Sequence, residues 1–443
     1  MPITVNRNAT RINSPCSGAE SRSCGWYETL PKMPPRESAD GSRVADFVVI
    51  GAGFTGLACS RRLAELFPTA TILVLEADRI GAANSGRNSG FLLDISFYDD
   101  PPPAIRAART RLQRGGLEEL RRVVSEYHIS CDWQARGHIY GAITDDEDRY
   151  LARLAMRYAD AGAPMQEWPP ARVSEVTGSS RFLRGLFHPG TVLVQPAALI
   201  RGLAASLPGN VHLYENSGVR RLERLGSGIV VQTDKSQIKA QKVFVCANGG
   251  TPGLGYGKNR LLKVSTFAAM TPVLDGWPGA FGEAEAFGLL PSLLGGATLR
   301  KTKDGRLLVR QGAAFTPTGC PSAAQFRRFS DQARETVRRL WPELAKVPFE
   351  FIWSGVMSLT RNTGQVFGEL EENVFVSAFC NGAGNTSGTM AGKLLADLCA
   401  DRSSDLLCDQ MSLPSPRWVP PDVICGFFVN RQIAAENRKL EKV

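Results

Sequence analysis

Histidine is scarce in this chain. There are four, His128, His138, His188 and His212, and no metal-ligand spacing is found among them and the ten cysteines. The cysteines, Cys59, Cys246, Cys380 and Cys425 among them, are scattered and form no C-x-x-C pair. These absences exclude a zinc site readable from spacing and predict no metal; the thiols are expected to be reduced and mostly buried, as in a cytoplasmic protein. Long apolar runs are missing as well: none approaches the roughly 20 residues of a membrane span, so no integral membrane segment is expected. The opening MPITVNRNATRINSPCSGAESRSC is polar and lacks the apolar core of a secretory signal. Lys/Arg blocks are absent too. The net charge of +9 is spread along 443 residues, a mild bias toward acidic substrates rather than a nucleic-acid arm. There is no internal repeat or low-complexity tract. What remains, 43% hydrophobic and 21% charged residues, is the balance of a globular protein long enough for two or three domains.

The most informative stretch is FVVIGAGFTGL, Phe47 to Leu57. Phe47–Ile50 reads as a buried strand, Phe54–Phe67 as a helix with Leu57, Ala58, Leu63 and Leu66 inward, and Ile72–Leu75 as a second buried strand. Strand, helix and strand in about thirty residues make a parallel βαβ unit. Gly51, Gly53 and Gly56 complete G-x-G-x-x-G. The first permits a sharp turn, the second lets backbone approach a pyrophosphate, and the third lets helix and strand pack closely. Phe54 and Thr55 open the helix, whose free N–H groups and partial positive charge favour phosphate. A ligand-free glycine turn is the plain alternative, but Glu76, with Ala77 behind it, ends the second strand twenty residues after Gly56. A carboxylate there accepts ribose hydroxyls and repels a 2′-phosphate, leaving NAD or FAD.

The next segment, LEADRIGAANSGRNSGFLLD, decides between them: small residues let the chain run beside pyrophosphate and isoalloxazine. Here the chain resembles the FAD-dependent D-amino-acid-oxidase superfamily, and within it the branch of γ-glutamylputrescine oxidase, near glycine and sarcosine oxidases. The resemblance spans roughly residues 24–405. Ser85, Gly86, Arg87, Asn88 and Gly90 match the branch's GASGRNGG loop, with Ser89 replacing a glycine. TLRKTKDGRLLVRQG matches its YxRxTxDGRLLFGG strand pair at Arg300, Thr302 and Asp304–Leu308, with Arg310 replacing a glycine. WSGVMSLTRNTG matches at Trp353, Gly355, Thr360 and Asn362. NGAGNTSGTMAGKLLA matches the C-terminal glycine loop, with Ala383 where the branch often has histidine.

The resemblance implies an α/β fold: a Rossmann-type FAD-binding domain with an inserted α+β substrate domain, an antiparallel sheet plus helices. The expected division is an irregular arm (1–43), a discontinuous FAD domain (44–100, 170–255 and 353–405), a substrate domain (101–169 and 256–352) and a tail with a helix (406–443). FAD is expected to be non-covalent, although Cys320 and Cys380 are positioned to raise the question. Further cofactor contacts are implied at Val219, at Ala247, Asn248 and Gly249, and at Gly382, Ala383, Gly384, Asn385, Thr386 and Ser387. This last loop opens a helix whose N-terminus would face the flavin pyrimidine.

The implied reaction is oxidation of an amine or amino-acid C–N bond to an imine by hydride transfer to flavin N5, with O2 reoxidising the flavin to give H2O2. Substrate-face candidates are Arg87, expected to contact flavin but able instead to pair with a substrate carboxylate or a buried acid, Trp353 as a wall, Arg300 and Arg310 for an anionic group, and Lys263 beside N5 to activate O2. Each has a plain alternative: Trp353 as core, the two arginines as strand-surface charge, Lys263 as a surface lysine. The histidines are expected to be structural or solvated, away from the flavin loops. One rival function is a dehydrogenase passing electrons to a quinone or protein. Another is a flavin-binding protein that oxidises no amine.

Overall fold

In the computed structural model, which describes residues 24–96, 102–160, 162–163, 165–226, 228–274, 285–292 and 296–441, the run Phe47–Ile50 forms the end of a longer strand, Gly41–Ile50. It lies parallel to Ile72–Leu75 on one side and to Ser236–Val245 on the other. Val48 and Val49 are wholly buried, as expected of a central parallel strand covered on both faces. The sheet continues through Val374–Ala378 and Val366–Glu371 at one end and Val211–Tyr214 at the other, with Arg221–Leu225 and Gly228–Gln232 branching from Ser236–Val245. Helix Phe54–Leu66 packs against helix Thr386–Cys399. A Cβ on Gly392 would lie 2.0 Å from the Thr55 carbonyl oxygen, so only glycine permits this approach.

A second eight-stranded sheet runs in the order Phe351–Leu359, Leu262–Met270, Leu307–Phe315, Thr298–Lys301, Phe287–Pro291, His138–Ala142, Arg184–His188 and Gln166–Trp168. All neighbours are antiparallel except Phe287–Pro291 with His138–Ala142. The helix Ala323–Leu340 starts with a capping box between Ser322 and Gln325. Its apolar stripe, Phe329, Ala333, Val337 and Leu340, covers one face of this sheet, against Phe267, Leu307 and Val309. The opposite face carries Ala268, Met270, Leu308 and Trp353, packed on Cys24, Trp26 and Ala197.

The two-part α/β architecture is the expected one, but sheet membership draws its boundaries differently. Phe351–Leu359, assigned to the FAD domain from residue 353, is the edge strand of the second sheet. Gln166–Trp168 and Arg184–His188, divided by the boundary at 169/170, belong to that sheet together. Helix Pro103–Glu126, assigned to the substrate domain, packs Leu112 on Met390 and Leu394 of the C-terminal glycine helix. Residues 1–23 of the expected arm lie outside the described residues; its described part is not irregular throughout, since it contains a helical turn, Gly25–Glu28. Alternating apolar residues identify a strand without saying which sheet accepts its hydrogen bonds.

Candidate active site

The site grows from the first glycine loop. Gly51 has a φ of +99°, open to glycine and strained for other residues; a Cβ there would also lie 2.7 Å from the Cys246 carbonyl oxygen. A Cβ on Gly56 would lie 1.8 Å from the Gly51 carbonyl oxygen. Gly53 caps the helix, and neither a side-chain cap nor an acidic first-turn residue competes for the N–H groups at Phe54 and Thr55. Glu76 is turned into the same loop: its Oε2 accepts the Ala52 N–H at 2.8 Å and its Oε1 the Asp78 N–H at 3.2 Å. Burial pushes the Glu76 pKa up, against the pull of those two N–H donors. Ala77 faces Gly218 across the strand ends, with Val219 buried beside it. Backbone approach, helix dipole and a carboxylate thus converge on one cradle, whose glycines leave space any side chain would fill. The residues present fit a dinucleotide.

Asn248 has a structural role. Its φ is +44°, and its Oδ1 accepts the Phe379 N–H at 3.0 Å and the Cys380 N–H at 3.4 Å. It therefore latches the turn Ala247–Gly249 to the end of strand Val374–Ala378. Cys380 lies in the same place, and burial pushes its thiol up, away from the thiolate that a covalent flavin bond requires. Cys320 is exposed.

The second loop, residues 84–90, docks on the free edge of strand Phe351–Leu359. Asn84 does the work of a neighbouring strand: its Nδ2 donates to the Val356 carbonyl at 2.5 Å and its Oδ1 accepts the Val356 N–H at 2.9 Å. Arg87 donates to the carbonyls of Ala82 at 2.7 Å and Ser354 at 3.2 Å. The indole of Trp353, 1% exposed, donates to the Arg87 carbonyl at 3.0 Å. Ser85 Oγ lies 3.0 Å from where a Cβ on Gly53 would be, so the two loops face each other. Gly86 is buried. Asn88 binds the Ser85 carbonyl, and its Oδ1 accepts both the Gly90 N–H and Asn385 Nδ2. Asn385 and Thr386 then hold the carbonyls of Phe91 and Leu93. Gly382 (φ +91°) turns the third loop, a Cβ on Gly384 would strike Cys380, and Ser387 Oγ bonds the Ala383 carbonyl. All three glycine-rich loops therefore meet.

The substrate candidates fall into three groups. Arg300, 1% exposed, clamps the loop: its Nη1 donates to the carbonyls of Val194 at 2.5 Å, Ser89 at 3.1 Å and Gly90 at 3.4 Å. Burial pulls its pKa down to about 10. Arg310 shares the sheet face of Leu308 and Ala268. Its side chain crosses the strand Leu262–Met270 and reaches the Met357 sulfur at 3.7 Å. Among the described residues it meets no carboxylate; burial alone acts on it, lowering its pKa. Lys263 lies at the register parity of Phe267 and Ala269, which pack on the opposite face against helix Ala323–Leu340, away from the loop.

Two histidines expected far from the loops lie close behind them. His188 Nε2 bonds Asp94 Oδ1 at 2.7 Å, four residues past Gly90. His138 Nδ1 bonds Thr191 Oγ1 at 2.9 Å, and burial lowers its pKa to about 3. Strand pairing brings the two histidines together, which no sequence motif announced. Trp26, Tyr27 and Asn84 were also missed; the only signal for the first two was the aromatic island Gly-Trp-Tyr in a polar arm.

Comparison with known proteins agrees with this geometry. The family described as FAD dependent oxidoreductase (DAO) matches residues 46–398. The chain is 29% identical over 350 residues to a probable oxidoreductase OrdL of Rhizobium meliloti, covering 76% of this chain and 78% of that protein. It is 27% identical over 388 residues to the gamma-glutamylputrescine oxidoreductase of Escherichia coli, covering 83% and 86%. The fold resembles that of glycine oxidase from Geobacillus kaustophilus, with a TM-score of 0.69 at 19% identity over 82% of this chain and 96% of that one. With the dinucleotide cradle and the family match over most of its length, the chain belongs to the DAO family of FAD-dependent oxidoreductases, and FAD is its cofactor.

Proposed function

We propose that this enzyme oxidises a CH–NH unit of an amine or amino acid that also carries an anionic group. The product is an imine, and the two electrons and two protons removed pass to dioxygen as hydrogen peroxide. The relatives named as a gamma-glutamylputrescine oxidoreductase and a glycine oxidase support the amine class. The observation that carries the anionic group is Arg310, a guanidinium without a carboxylate partner among the described residues, on the sheet face that receives the 84–90 loop. A poorly solvated cation of this kind is strongly stabilised by an anion that reaches it.

Bound FAD supplies the redox chemistry by accepting a hydride from the substrate carbon. The chain's residues do the rest. Arg310 anchors the anionic group and fixes which carbon is presented. Trp353 and Met357 wall the same face, excluding water. Asn84, Arg87, Asn88 and Arg300 hold the loop peptides so that the cofactor meets a fixed surface. No histidine base is required if the amine binds neutral, its proton left in solvent.

The test is anaerobic bleaching of the flavin by matched pairs of amines, one bearing a carboxylate and the other its amide. The carboxylate member should reduce the wild type faster. Losing a charged hydrogen bond of about 1.5–3 kcal/mol should lower kcat/KM of the R310M variant for that member by about ten- to a hundredfold. Equal rates for both members, or an R310M enzyme that reacts like wild type, refutes the anionic anchor. Oxygen uptake at the rate of turnover supports dioxygen as acceptor; turnover only with a quinone or protein acceptor replaces that part of the reading.

A further inference from the structure

We infer that the N-terminal segment Cys24–Leu30 is a strap that shapes the second flavin loop, with Trp26 a positioning residue for FAD. Three side chains of this segment hold three carbonyls of the stretch 80–88. Cys24 Sγ lies 3.8 Å from the Gly86 oxygen, Trp26 Nε1 donates to Asn88 at 2.8 Å, and Tyr27 OH donates to Ile80 at 2.5 Å. The fit is close: a Cβ on Gly81 would lie 2.0 Å from Tyr27 OH, and one on Gly86 2.8 Å from it.

Trp26 is the hub. It is 2% exposed. Its carbonyl accepts Gln195 Nε2 at 2.6 Å, its ring lies 5.2 Å from the Arg300 guanidinium carbon, and it meets Trp353 edge-on at 6.5 Å. The strap is wedged against the second sheet from below: a Cβ on Gly25 would contact Phe351, Met270 and Trp353 at 3.0–3.1 Å. Consecutive loop peptides are thus gripped from two directions. Trp26 takes the Asn88 carbonyl, and Arg300, itself under the Trp26 ring, takes those of Ser89 and Gly90.

This grip has a geometric consequence. A trans peptide is planar, with its N–H opposed to its C=O. Fixing the Asn88 carbonyl on the indole therefore aims the Ser89 N–H away from the strap. The strap side of the loop is filled by Trp26 and Tyr27, so the donor is delivered to the side left for a ligand. An N–H aimed in advance costs no reorganisation when the acceptor arrives. The inference rests on residues 84–90 contacting FAD and not on the identity of the substrate; its readouts are on the cofactor, so failure of the amine reading leaves it standing.

The experiment compares two full-length variants that lose the same kind of bond. W26F removes the indole N–H from the Asn88 carbonyl. W341F removes an equally buried indole N–H, 3.0 Å from the Thr177 carbonyl, in the core of the second sheet. Apoprotein is titrated with FAD, and the visible circular dichroism of the bound flavin is recorded. Loss of one buried hydrogen bond predicts about tenfold weaker FAD binding and an altered flavin dichroism for W26F. W341F should lower the melting temperature without either change. Equal FAD affinity and dichroism for W26F and wild type overturns the inference, as does an equal effect of both variants. A second measurement uses the wild type alone. If the strap favours bound FAD, then bound FAD must favour the strap by the same factor. Hydrogen exchange of residues 24–30 should slow when apoprotein is loaded with FAD, and unchanged exchange refutes the coupling.

Discussion

Gly56→Ala tests the cradle most directly. The added methyl would lie 1.8 Å from the Gly51 carbonyl oxygen, where real contacts rarely fall below 3.0–3.4 Å. Helix and loop must separate by more than about 1 Å, and Gly51 cannot retreat, because the Cys246 carbonyl stands behind it and its own N–H is bonded to the Leu75 carbonyl at 2.8 Å. The displacement falls on the helix N-terminus, whose first N–H groups would hold the pyrophosphate of bound FAD. A bond at about 2.9 Å that lengthens by 1 Å is no longer a hydrogen bond. Losing two such bonds to a charged acceptor, each worth about 1.5–3 kcal/mol, predicts FAD binding at least a hundredfold weaker. Alanine's better helix propensity returns about 1 kcal/mol to the apoprotein, so affinity should fall more than stability. The assay is fluorescence titration of apoprotein with FAD. Gly209→Ala serves as the control, since a Cβ there meets nothing within 4 Å. A G56A protein that binds FAD within threefold of wild type refutes the packing argument.

Other perturbations follow from the same geometry. His138 takes up a proton near pH 6.5 when unfolded but only near pH 3 when buried in the fold. Between those values the unfolded chain binds one more proton, so stability should fall by about 1.4 kcal/mol per pH unit on acidification. Burial pushes Asp94 up, but the hydrogen bond and charge of His188 more than reverse this and leave it below the usual carboxylate range, so Asp94 adds to the loss in acid. Denaturant melts at pH 7, 5.5 and 4 check this, and the H138Q variant should flatten the slope by one proton. Asn248→Ala removes the acceptor for the Phe379 N–H and should cost about 2 kcal/mol in denaturant melts, whereas Asn248→Asp, which keeps an acceptor, should cost less than half as much. Asn84→Ala leaves both polar groups of Val356 without a side-chain partner at the sheet edge; about 1–3 kcal/mol of stability should go, and equal melting of variant and wild type would show that water replaces the latch.

The geometry of the glycine cradle was legible because its determinants are local. Gly51, Gly53 and Gly56 answer to backbone sterics within one turn, and Glu76 lies one strand away from them. The 84–90 loop was legible as a motif but not as a structure: its Asn84 and Arg87 are satisfied by Val356 and Ser354, some 270 residues on. Arg300 and Arg310 show the limit most clearly. Both are arginines on neighbouring strands of one sheet face, and the sequence left both as anion binders or surface charge. Tertiary contacts separate them: Arg300 is occupied by three carbonyls of two other segments, whereas Arg310 finds a methionine sulfur and, among the described residues, no carboxylate.

By itself the order of residues determined a tight glycine turn between strand and helix, the acid that ends the next strand, the class of fold and the cofactor family, since each depends on residues adjacent in the chain or spaced by one element. Which sheet receives Phe351–Leu359, that Trp26 grips the loop, that His138 and His188 meet, and that Arg300 is taken up by carbonyls while Arg310 reaches a methionine sulfur were decided only in three dimensions. The physical reason is that burial and hydrogen-bond satisfaction depend on which distant segment arrives, and a side chain's chemistry in the fold is set by the partners it does or does not find there.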